Sequence, residues 1–205
     1  MTAEEELERI IPAIEYISEE YDVPISIDTQ KSEVAKKAIQ AGACIVNDVG
    51  GLRNEDMISV VAEMKVPVIM MHMQGTPENM QKNPQYSDVV EDIKEWLEER
   101  IIAAEKAGIK RSDIIVDPGI GFGKNLKHNL ELLGRLNEFK GMAGGVLLGA
   151  SRKSFIAMMT GNEDGDRLTG SLSAAIMGAT AGVDILRVHD IKETRKTIDT
   201  INALN

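Results

Sequence analysis

The sequence is poor in cysteine and in aromatic residues, and each shortage excludes a class of fold. A single cysteine, Cys44, leaves no partner for an internal disulfide and rules out a cysteine-rich zinc module. Aromatic residues make up 3% of the chain, so aliphatic and small residues must build the core. This composition favours a parallel sheet covered by helices over an aromatic-rich β-sandwich.

Basic charge and long apolar runs are also scarce. The 205 residues include 23 lysines and arginines against 33 aspartates and glutamates, a formal net charge of −10. We do not expect so acidic a chain to bind nucleic acid or an anionic membrane, and an anionic ligand then needs a local basic cluster. No apolar run approaches the roughly 18 residues of a membrane span. The acidic start, Met1–Glu6, does not resemble a signal peptide. We therefore expect a soluble protein of a reducing cytoplasm.

Short apolar segments alternate with amphipathic helices along the whole chain. The first helix is predicted to start with a capping box between Thr2 and Glu5. Six strand–helix units follow. The predicted strands are Val23–Ile27, Ala43–Val46, Val66–Met71, Asp113–Val116, Gly145–Leu148 and Val183–Leu186. The predicted helices are Ser32–Ala41, Asn54–Met64, Ser87–Ala107, Leu126–Asn137, Leu168–Ala181 and a last one ending near Asn202. This alternation predicts an α/β fold with a parallel sheet, in one domain over residues 1–205. Eight such units, about 250 residues, make a β/α barrel, so six predict an incomplete one.

Polar or glycine-rich residues follow each predicted strand. The six clusters are Asp28-Thr29, Asn47-Asp48, His72–Gly75, Asp117–Gly119, Ser151–Lys153 and Arg187–Asp190. A helix N-cap would explain any one of them. In a parallel β/α fold all the strand ends lie on one face, where ligands bind. Six clusters in six units therefore predict one shared pocket.

Several familiar sites are excluded by spacing. The glycine-rich segment Gly119–Lys124 lacks the glycine spacing and the Ser or Thr of a P-loop. The histidines His72, His128 and His189 show no metal-ligand spacing, so a metal site made by the protein alone is not expected. No Gly-x-Ser-x-Gly elbow is present for nucleophilic catalysis.

The strand-end residues divide into two chemical groups. Basic side chains suited to a diphosphate are Arg152, Lys153, Arg187 and His189. Acceptors suited to the N–H groups of a flat, nitrogen-rich heterocycle are Asp28, Asn47 and Asp117. These residues could hold a diphosphate and a flat, nitrogen-rich heterocycle at the strand ends.

The strand-end motifs resemble those of the dihydropteroate synthase family, in the family's order and over essentially the whole chain. They are Ile27–Thr29, Asn47–Val49, Met71–Gly75, Asp117–Lys124, Ser151–Phe155 and Arg187–Asp190. The family is a (β/α)8 barrel of folate synthesis. It joins p-aminobenzoate to 6-hydroxymethyl-7,8-dihydropterin diphosphate and releases diphosphate. The resemblance implies an SN1-like reaction, in which diphosphate leaves before the arylamine attacks.

The resemblance also implies a role for each strand-end residue. The pterin ring would be bound by Asp28, Asn47, Asp117 and Lys153, in a pocket lined by Met71, Phe122 and Gly149. The leaving diphosphate would be held by Arg187 and His189, helped by Mg²⁺. The p-aminobenzoate site would be bordered by Ser151, Arg152 and Phe122. The catalytic set would be Lys153, Asp117, Asp28, Arg187 and His189.

Two loops of the family are not found in the sequence. One is an Asn-Val-Thr-Pro-Asp-Ser-Phe loop that supplies an Asn for the Mg²⁺–diphosphate complex; the other, Glu-Ser-Thr-Arg-Pro-Gly, closes over p-aminobenzoate. We expect an incomplete barrel with open edges near Val23–Ile27 and Val183–Leu186, completed in a homodimer or by a partner chain.

Two other functions stay open at this point. A non-catalytic pterin-binding subunit would keep the pocket and leave the missing loops to its partner. A pterin-dependent methyltransferase uses the same barrel. The Ser-Arg-Lys-Ser-Phe and Arg-Val-His-Asp motifs argue against the methyltransferase, because they belong to diphosphate and arylamine chemistry.

Overall fold

The computed structural model describes residues 1–160 and 166–204, which belong to two compact units. The first unit comprises Met1–Met71 and Leu97–Ile115, and the second comprises His72–Trp96 and Val116–Asn205. The division falls inside one helix and one strand. A single domain over residues 1–205 stays a prediction.

The first unit contains three complete strands and three complete helices in alternation. They are α1 (Ala3–Glu20), β1 (Ser26–Asp28), α2 (Ser32–Gln40), β2 (Ile45–Asp48), α3 (Glu55–Met64) and β3 (Val68–Met71). The unit also holds the later part of α4 (Val89–Lys106), a 3₁₀ turn (Arg111–Asp113) and the start of β4 (Ile114–Asp117). The strands β1, β2 and β3 each start at least two residues later than predicted. For β1 and β3 the reason is that Pro24 and Pro67 have no N–H to donate to a sheet. For β2 the reason is that the Ala43 N–H bonds to the Ala38 carbonyl at the end of α2.

The strands of the first unit pair in parallel with a register that carries polar residues to one end. Ile27 is opposite Val46, and Asp28 is therefore opposite Asn47. Val46 pairs in turn with Val68 of β3. Val46 and Val68 are fully buried, as expected for a sheet covered by helices.

Helix α1 is fixed to the loop after β1 by a buried glutamate. The Oε1 atom of Glu6 accepts a hydrogen bond of 2.8 Å from the Thr29 hydroxyl, and Lys31 Nζ lies 2.6 Å from Glu6 Oε2. The predicted capping box between Thr2 and Glu5 is confirmed at the start of the same helix. Burial by itself acts to raise the pKa of Glu6, but the hydrogen bonds from Lys31 and Thr29 outweigh it. The pKa therefore lies below its ordinary value of 4.5.

Replacing Glu6 by Gln is expected to lower the free energy of unfolding at pH 7 by about 1–2 kcal/mol, because buried charge-assisted hydrogen bonds are lost. A carboxylate whose pKa is lower in the folded state stabilises the fold fully at pH values above its unfolded-state pKa, which is near 4.5. The advantage of the wild type should disappear as the pH falls through the lower folded-state value. Urea unfolding at pH 7 measures the loss of stability in Glu6→Gln, and urea unfolding at pH 3 shows whether that loss has disappeared. Glu8→Gln, at an exposed position of the same helix, is the control; an equal loss in both variants would contradict the assignment.

The second unit contains the end of β4 and two further strands with their helices. Its complete elements are α5 (Leu126–Gly134), a 3₁₀ turn (Leu136–Phe139), β5 (Gly145–Leu148), α6 (Ser154–Thr160), α7 (Leu168–Ala181), β6 (Ile185–Leu186) and α8 (Ile191–Leu204). Strands β5 and β6 are parallel, with Leu148 opposite Leu186. The predicted start of β6 at Val183 is two residues early, because the Val183 N–H bonds to the Gly178 carbonyl at the end of α7.

The predicted fold class is confirmed. Six parallel strands alternate with helices, and their hydrogen-bonded order is their order along the chain, as in the TIM-type barrel. Within the described ranges, β1 is an end strand that pairs with β2, and β6 is an end strand that pairs with β5. None of the described helices is long and apolar enough to cross a membrane.

Candidate functional site

In the first unit, the parallel register brings Asp28 and Asn47 together. The Nδ2 atom of Asn47 donates a hydrogen bond of 2.5 Å to Asp28 Oδ1. Asn47 is 3% exposed, and in residues 1–160 and 166–204 no protein group hydrogen-bonds to its Oδ1 atom. A buried acceptor without a partner is uncommon and costs stability. The pair therefore presents an acceptor suited to the N–H of a ligand.

Asp48, the neighbour of Asn47, shapes the loop after β2. Its carboxylate accepts hydrogen bonds of 2.7 Å from the Gly50 N–H and 2.8 Å from the Leu52 N–H. Burial raises the pKa of Asp48, and the two N–H groups and the charge of Arg53 act against it. The Asp48 carboxylate is thus occupied by hydrogen bonds from the backbone of its own loop.

Met71 is the remaining predicted site residue of the first unit. It is the last residue of β3 and is 2% exposed. Its burial suits an apolar wall.

In the second unit, Asp117 is a buried carboxylate at the end of β4. It is 5% exposed, and its Oδ1 atom accepts a hydrogen bond of 2.7 Å from the Gly119 N–H. Burial raises the pKa of Asp117, whereas nearby cations and the Gly119 N–H act to lower it. The cations are Lys153, Lys124 and Arg187. Such a carboxylate, surrounded by positive charge and shielded from water, can interact strongly with a cationic ligand.

Lys153 lies with Asp117 and Phe122 in the second unit. Its Nζ atom donates a hydrogen bond to the Ile120 carbonyl and lies 4.1 Å from the centre of the Phe122 ring. Burial lowers the pKa of Lys153 to about 8, although the charge of Asp117 acts to raise it. The amino group can therefore donate hydrogen bonds, and its charge changes near neutral pH.

Two glycines leave room around these charges. A Cβ atom on Gly121 would lie 2.8 Å from Lys153 Cδ, so only glycine leaves this space to the lysine stem. A Cβ atom on Gly149 would lie 3.9 Å from Asp117 Oδ2, at an ordinary contact distance. Gly149 is thus beside the carboxylate, in keeping with its predicted place in the lining of the pocket.

Ser151 and His189 also come together in the second unit. The His189 N–H donates to Ser151 Oγ over 3.2 Å, and the ring Nδ1 atom lies 3.0 Å from the same oxygen. The backbone of Arg187 is held to β5, since its N–H donates to the Leu148 carbonyl over 3.0 Å. The charge of Arg187 acts on both Asp117 and Lys153. The predicted cluster of basic groups is therefore carried by neighbouring strand ends.

The guanidinium of Arg152 faces a carboxylate. Its Nη2 atom lies 2.5 Å from Asp190 Oδ1, and its Nε atom donates to Oδ2 over 3.0 Å. Arg152 adopts a positive φ of 58°, which is uncommon for a residue other than glycine. Its backbone is held there, because the Arg152 N–H donates to Ser171 Oγ over 2.9 Å. The sequence predicted the residue but not this pairing.

Sequence reasoning missed a second buried lysine, Lys124. It is 3% exposed, and its Nζ atom lies 3.0 Å from His72 Nδ1 and 2.9 Å from the Phe122 carbonyl. The glycine-rich segment matches no nucleotide-binding motif, so no motif indicated a role for its terminal lysine. The position of Lys124 could have indicated a role, because this lysine ends a loop of three glycines that directly follows a strand.

A protein-made metal site was not expected from the sequence. In the described ranges, 1–160 and 166–204, no three His, Cys, Asp or Glu side chains are grouped so that they could hold a metal ion. The residues present do not fit a metal bound by the protein alone.

Comparisons with known proteins agree on one family. The model of the family described as pterin binding enzyme matches residues 1–189. The dihydropteroate synthase of Escherichia coli strain K12 is 42% identical over 203 residues, which cover 99% of this chain and 72% of that protein. The dihydropteroate synthase of Synechocystis is 38% identical over 206 residues, which cover 100% of this chain and 71% of that protein.

Solved structures give the same result. The Stenotrophomonas maltophilia dihydropteroate synthase matches with a TM-score of 0.96 and 41% identity, over 100% of this chain and 77% of that one. The Xanthomonas albilineans dihydropteroate synthase in complex with 7,8-dihydropteroate matches with a TM-score of 0.93 and 40% identity, over 100% and 77% of the two chains.

Proposed function

We propose, from the premise that this chain belongs to the family of pterin-binding enzymes, that it is a transferase of the dihydropteroate synthase type. The reaction breaks the C–O bond between the methylene group and the diphosphate of 6-hydroxymethyl-7,8-dihydropterin diphosphate. A C–N bond to p-aminobenzoate forms, and the amine loses a proton. The products are 7,8-dihydropteroate and diphosphate, a step of folate synthesis.

The observation that carries this proposal is the buried Asn47 oxygen beside the Asp28 carboxylate. Asn47 Nδ2 already donates to Asp28, which leaves Oδ1 as an acceptor facing no protein donor in the described residues. A pterin carries an amino group and ring N–H groups along one edge, the pattern that a carboxylate and an amide oxygen recognise. The ligand would supply the missing hydrogen bond.

The second unit supplies groups for both charges that develop in the reaction. When diphosphate leaves, positive charge spreads over the pterin, and a buried carboxylate such as Asp117 stabilises it. Arg187 and His189 hold the departing anion, while the Lys153 ammonium donates to the ring. No protein nucleophile is required, in keeping with the absence of a nucleophile elbow.

Mg²⁺ enters this proposal only together with the diphosphate. The described residues contain no group of three metal-binding side chains, and the family's Asn loop is not in the sequence. When bound, the ion would neutralise charge on the leaving group. No step above depends on it.

The assembly that we propose is a homodimer or a complex with a partner chain that completes the barrel. The support is physical, because the end strands β1 and β6 each have one sheet neighbour in the described ranges, and unpaired edges favour association. We place the protein in the cytoplasm, since its single cysteine is an exposed free thiol. Light scattering coupled to size-exclusion chromatography measures the assembly; a monomer at every concentration would contradict the homodimer and leave only the complex with a partner chain.

The function is tested by mixing the purified protein with the pterin diphosphate, p-aminobenzoate and Mg²⁺, and measuring dihydropteroate by mass spectrometry. Product well above the protein-free background supports a transferase. Binding of 6-hydroxymethylpterin without product by folded protein would instead favour the non-catalytic pterin-binding subunit.

Replacing Asn47 by Ala is expected to weaken binding of 6-hydroxymethylpterin about tenfold or more, because a buried hydrogen-bonding pair is lost. Fluorescence quenching of the pterin measures the affinity. Asn137→Ala, at an exposed position of the 3₁₀ turn after α5, is the matched control. Equal affinities of the two variants would count against a pterin beside Asn47.

A further inference from the structure

Lys124 is the most deeply buried lysine near Asp117, and the proposed reaction assigns it no task. Its side chain is 3% exposed. Lysine is rarely buried so completely unless its charge is partnered. Its ammonium group donates to the Phe122 carbonyl over 2.9 Å and lies 3.0 Å from His72 Nδ1. A neutral imidazole can accept there, so both contacts suit a charged lysine.

The partner of Lys124 is itself held firmly. The His72 ring meets the Trp96 ring edge-on, with 5.0 Å between the ring centres. The His72 N–H donates to the Asp117 carbonyl over 2.9 Å. His72 thus provides a fixed anchor between the lysine and the backbone of Asp117.

Lys124 lies at the end of the loop that forms the surroundings of Asp117. The loop begins at Gly119, whose N–H is held by the Asp117 carboxylate, and it carries the Ile120 carbonyl that accepts from Lys153. The Phe122 carbonyl held by Lys124 belongs to the residue whose ring lies against Lys153 Nζ. Movement of this one loop would displace the partners of both Asp117 and Lys153.

Electrostatics connects the same groups. The titratable groups that face Lys124 are Asp117 from the end of β4, Lys153 from the segment before α6 and His128 from α5, with the ring of His72, the residue after β3. Burial lowers the pKa of Lys124 to about 7, Asp117 acts to raise it, and Lys153 acts to lower it. The charge of Lys124 acts in turn to lower the pKa of Asp117.

We propose, building on the function proposed above, that Lys124 is a positioning residue. Its buried ammonium group ties the Gly119–Gly123 loop to His72 and holds a positive charge in the loop that binds the Asp117 carboxylate. Lys124 need not touch the substrate, because it acts through Asp117.

The test replaces Lys124 by Met, which keeps the length of the side chain and removes its charge and donors. The first readout needs no ligand: the Asp117 carboxyl is titrated by ¹³C NMR, its signal being assigned through Asp117→Asn. We expect the Asp117 midpoint to rise by about one pH unit or more in Lys124→Met. Lys127→Met, three residues along at an exposed position of α5, should leave it unchanged. An unchanged midpoint in folded Lys124→Met would overturn the proposal, since a purely structural lysine would not shift it.

A second test does not depend on the folding of Lys124→Met. In Lys153→Met, which lacks the other lysine that acts on Asp117, the Asp117 signal should show a second inflection where Lys124 loses its proton, near pH 7. A titration curve without that inflection would equally overturn the proposal.

Binding separates this proposal from the function on which it builds. Affinity for 6-hydroxymethylpterin should be lost at low pH, where Asp117 takes up a proton. In Lys124→Met the pH of this loss should rise by the same amount as the Asp117 midpoint. If folded wild-type protein does not bind the pterin at all, the proposed function is wrong. The NMR titration still decides the role of Lys124 in that case.

Discussion

Replacing Asp117 by Asn is expected to slow the condensation by about 10²–10³-fold while leaving the fold intact. The loss corresponds to about 3–4 kcal/mol, the magnitude found when one charge-stabilising group is removed from a dry active site. Asp117 is 5% exposed, so little water is present to screen its charge. Asparagine has nearly the same shape and keeps an oxygen that can accept the Gly119 N–H.

The same substitution should also change the pH dependence. Asp117 acts to raise the pKa of Lys153, which burial otherwise lowers to about 8. Without the carboxylate this pKa falls further, so Lys153 loses its proton at lower pH. The basic limit of the kcat/KM profile should therefore move to lower pH in Asp117→Asn, a result that a loss of packing would not produce.

The matched control is Asp113→Asn at the opposite end of β4, where the 3₁₀ turn ends and the strand begins. Activity and its pH profile should be unchanged there. The melting temperature of Asp113→Asn should stay near the wild-type value. That of Asp117→Asn should fall, because the buried charges of Lys153 and Lys124 lose their compensating carboxylate, so its activity is measured at a temperature at which the variant is folded. Full activity of folded Asp117→Asn would remove Asp117 from the mechanism.

The proximity of strand-end residues on neighbouring strands within one unit could be predicted, because it depends on strand order alone. Short apolar segments with polar ends indicate parallel strands, and a parallel sheet collects those ends on one side. Asp28 and Asn47 illustrate this, since one step of register places them side by side. Their predicted neighbourhood required no knowledge of side-chain conformation.

Contacts between loops could not be predicted in this way. Lys124 and His72 are 52 residues apart, and no periodic pattern relates a loop lysine to the end of an earlier strand. The pairing of Arg152 with Asp190 spans 38 residues and depends on a left-handed backbone at Arg152. Helix α6 was missed because its residues, Ser154–Thr160, are too few to show a helical period.

Gly119→Ala is expected to destabilise the protein by about 3–4 kcal/mol, because a steric clash adds to an unfavourable backbone conformation. Gly119 has a φ of +70°, in the left-handed region. A Cβ atom there would lie 1.9 Å from the His72 carbonyl oxygen, a backbone atom that cannot rotate away. Because the His72 N–H bonds to the Asp117 carbonyl, relieving the clash must pull this loop away from His72.

Gly141→Ala separates the two causes of that loss. Gly141 has a similar φ of +78°, but a Cβ atom would have no neighbour within 4 Å. The backbone conformation alone should then cost about 1 kcal/mol. Urea unfolding of the two variants gives the cost of the clash as the difference between them. Equal losses would mean that the loop can leave His72 freely, and then neither Lys124 nor His72 could be fixing the surroundings of Asp117.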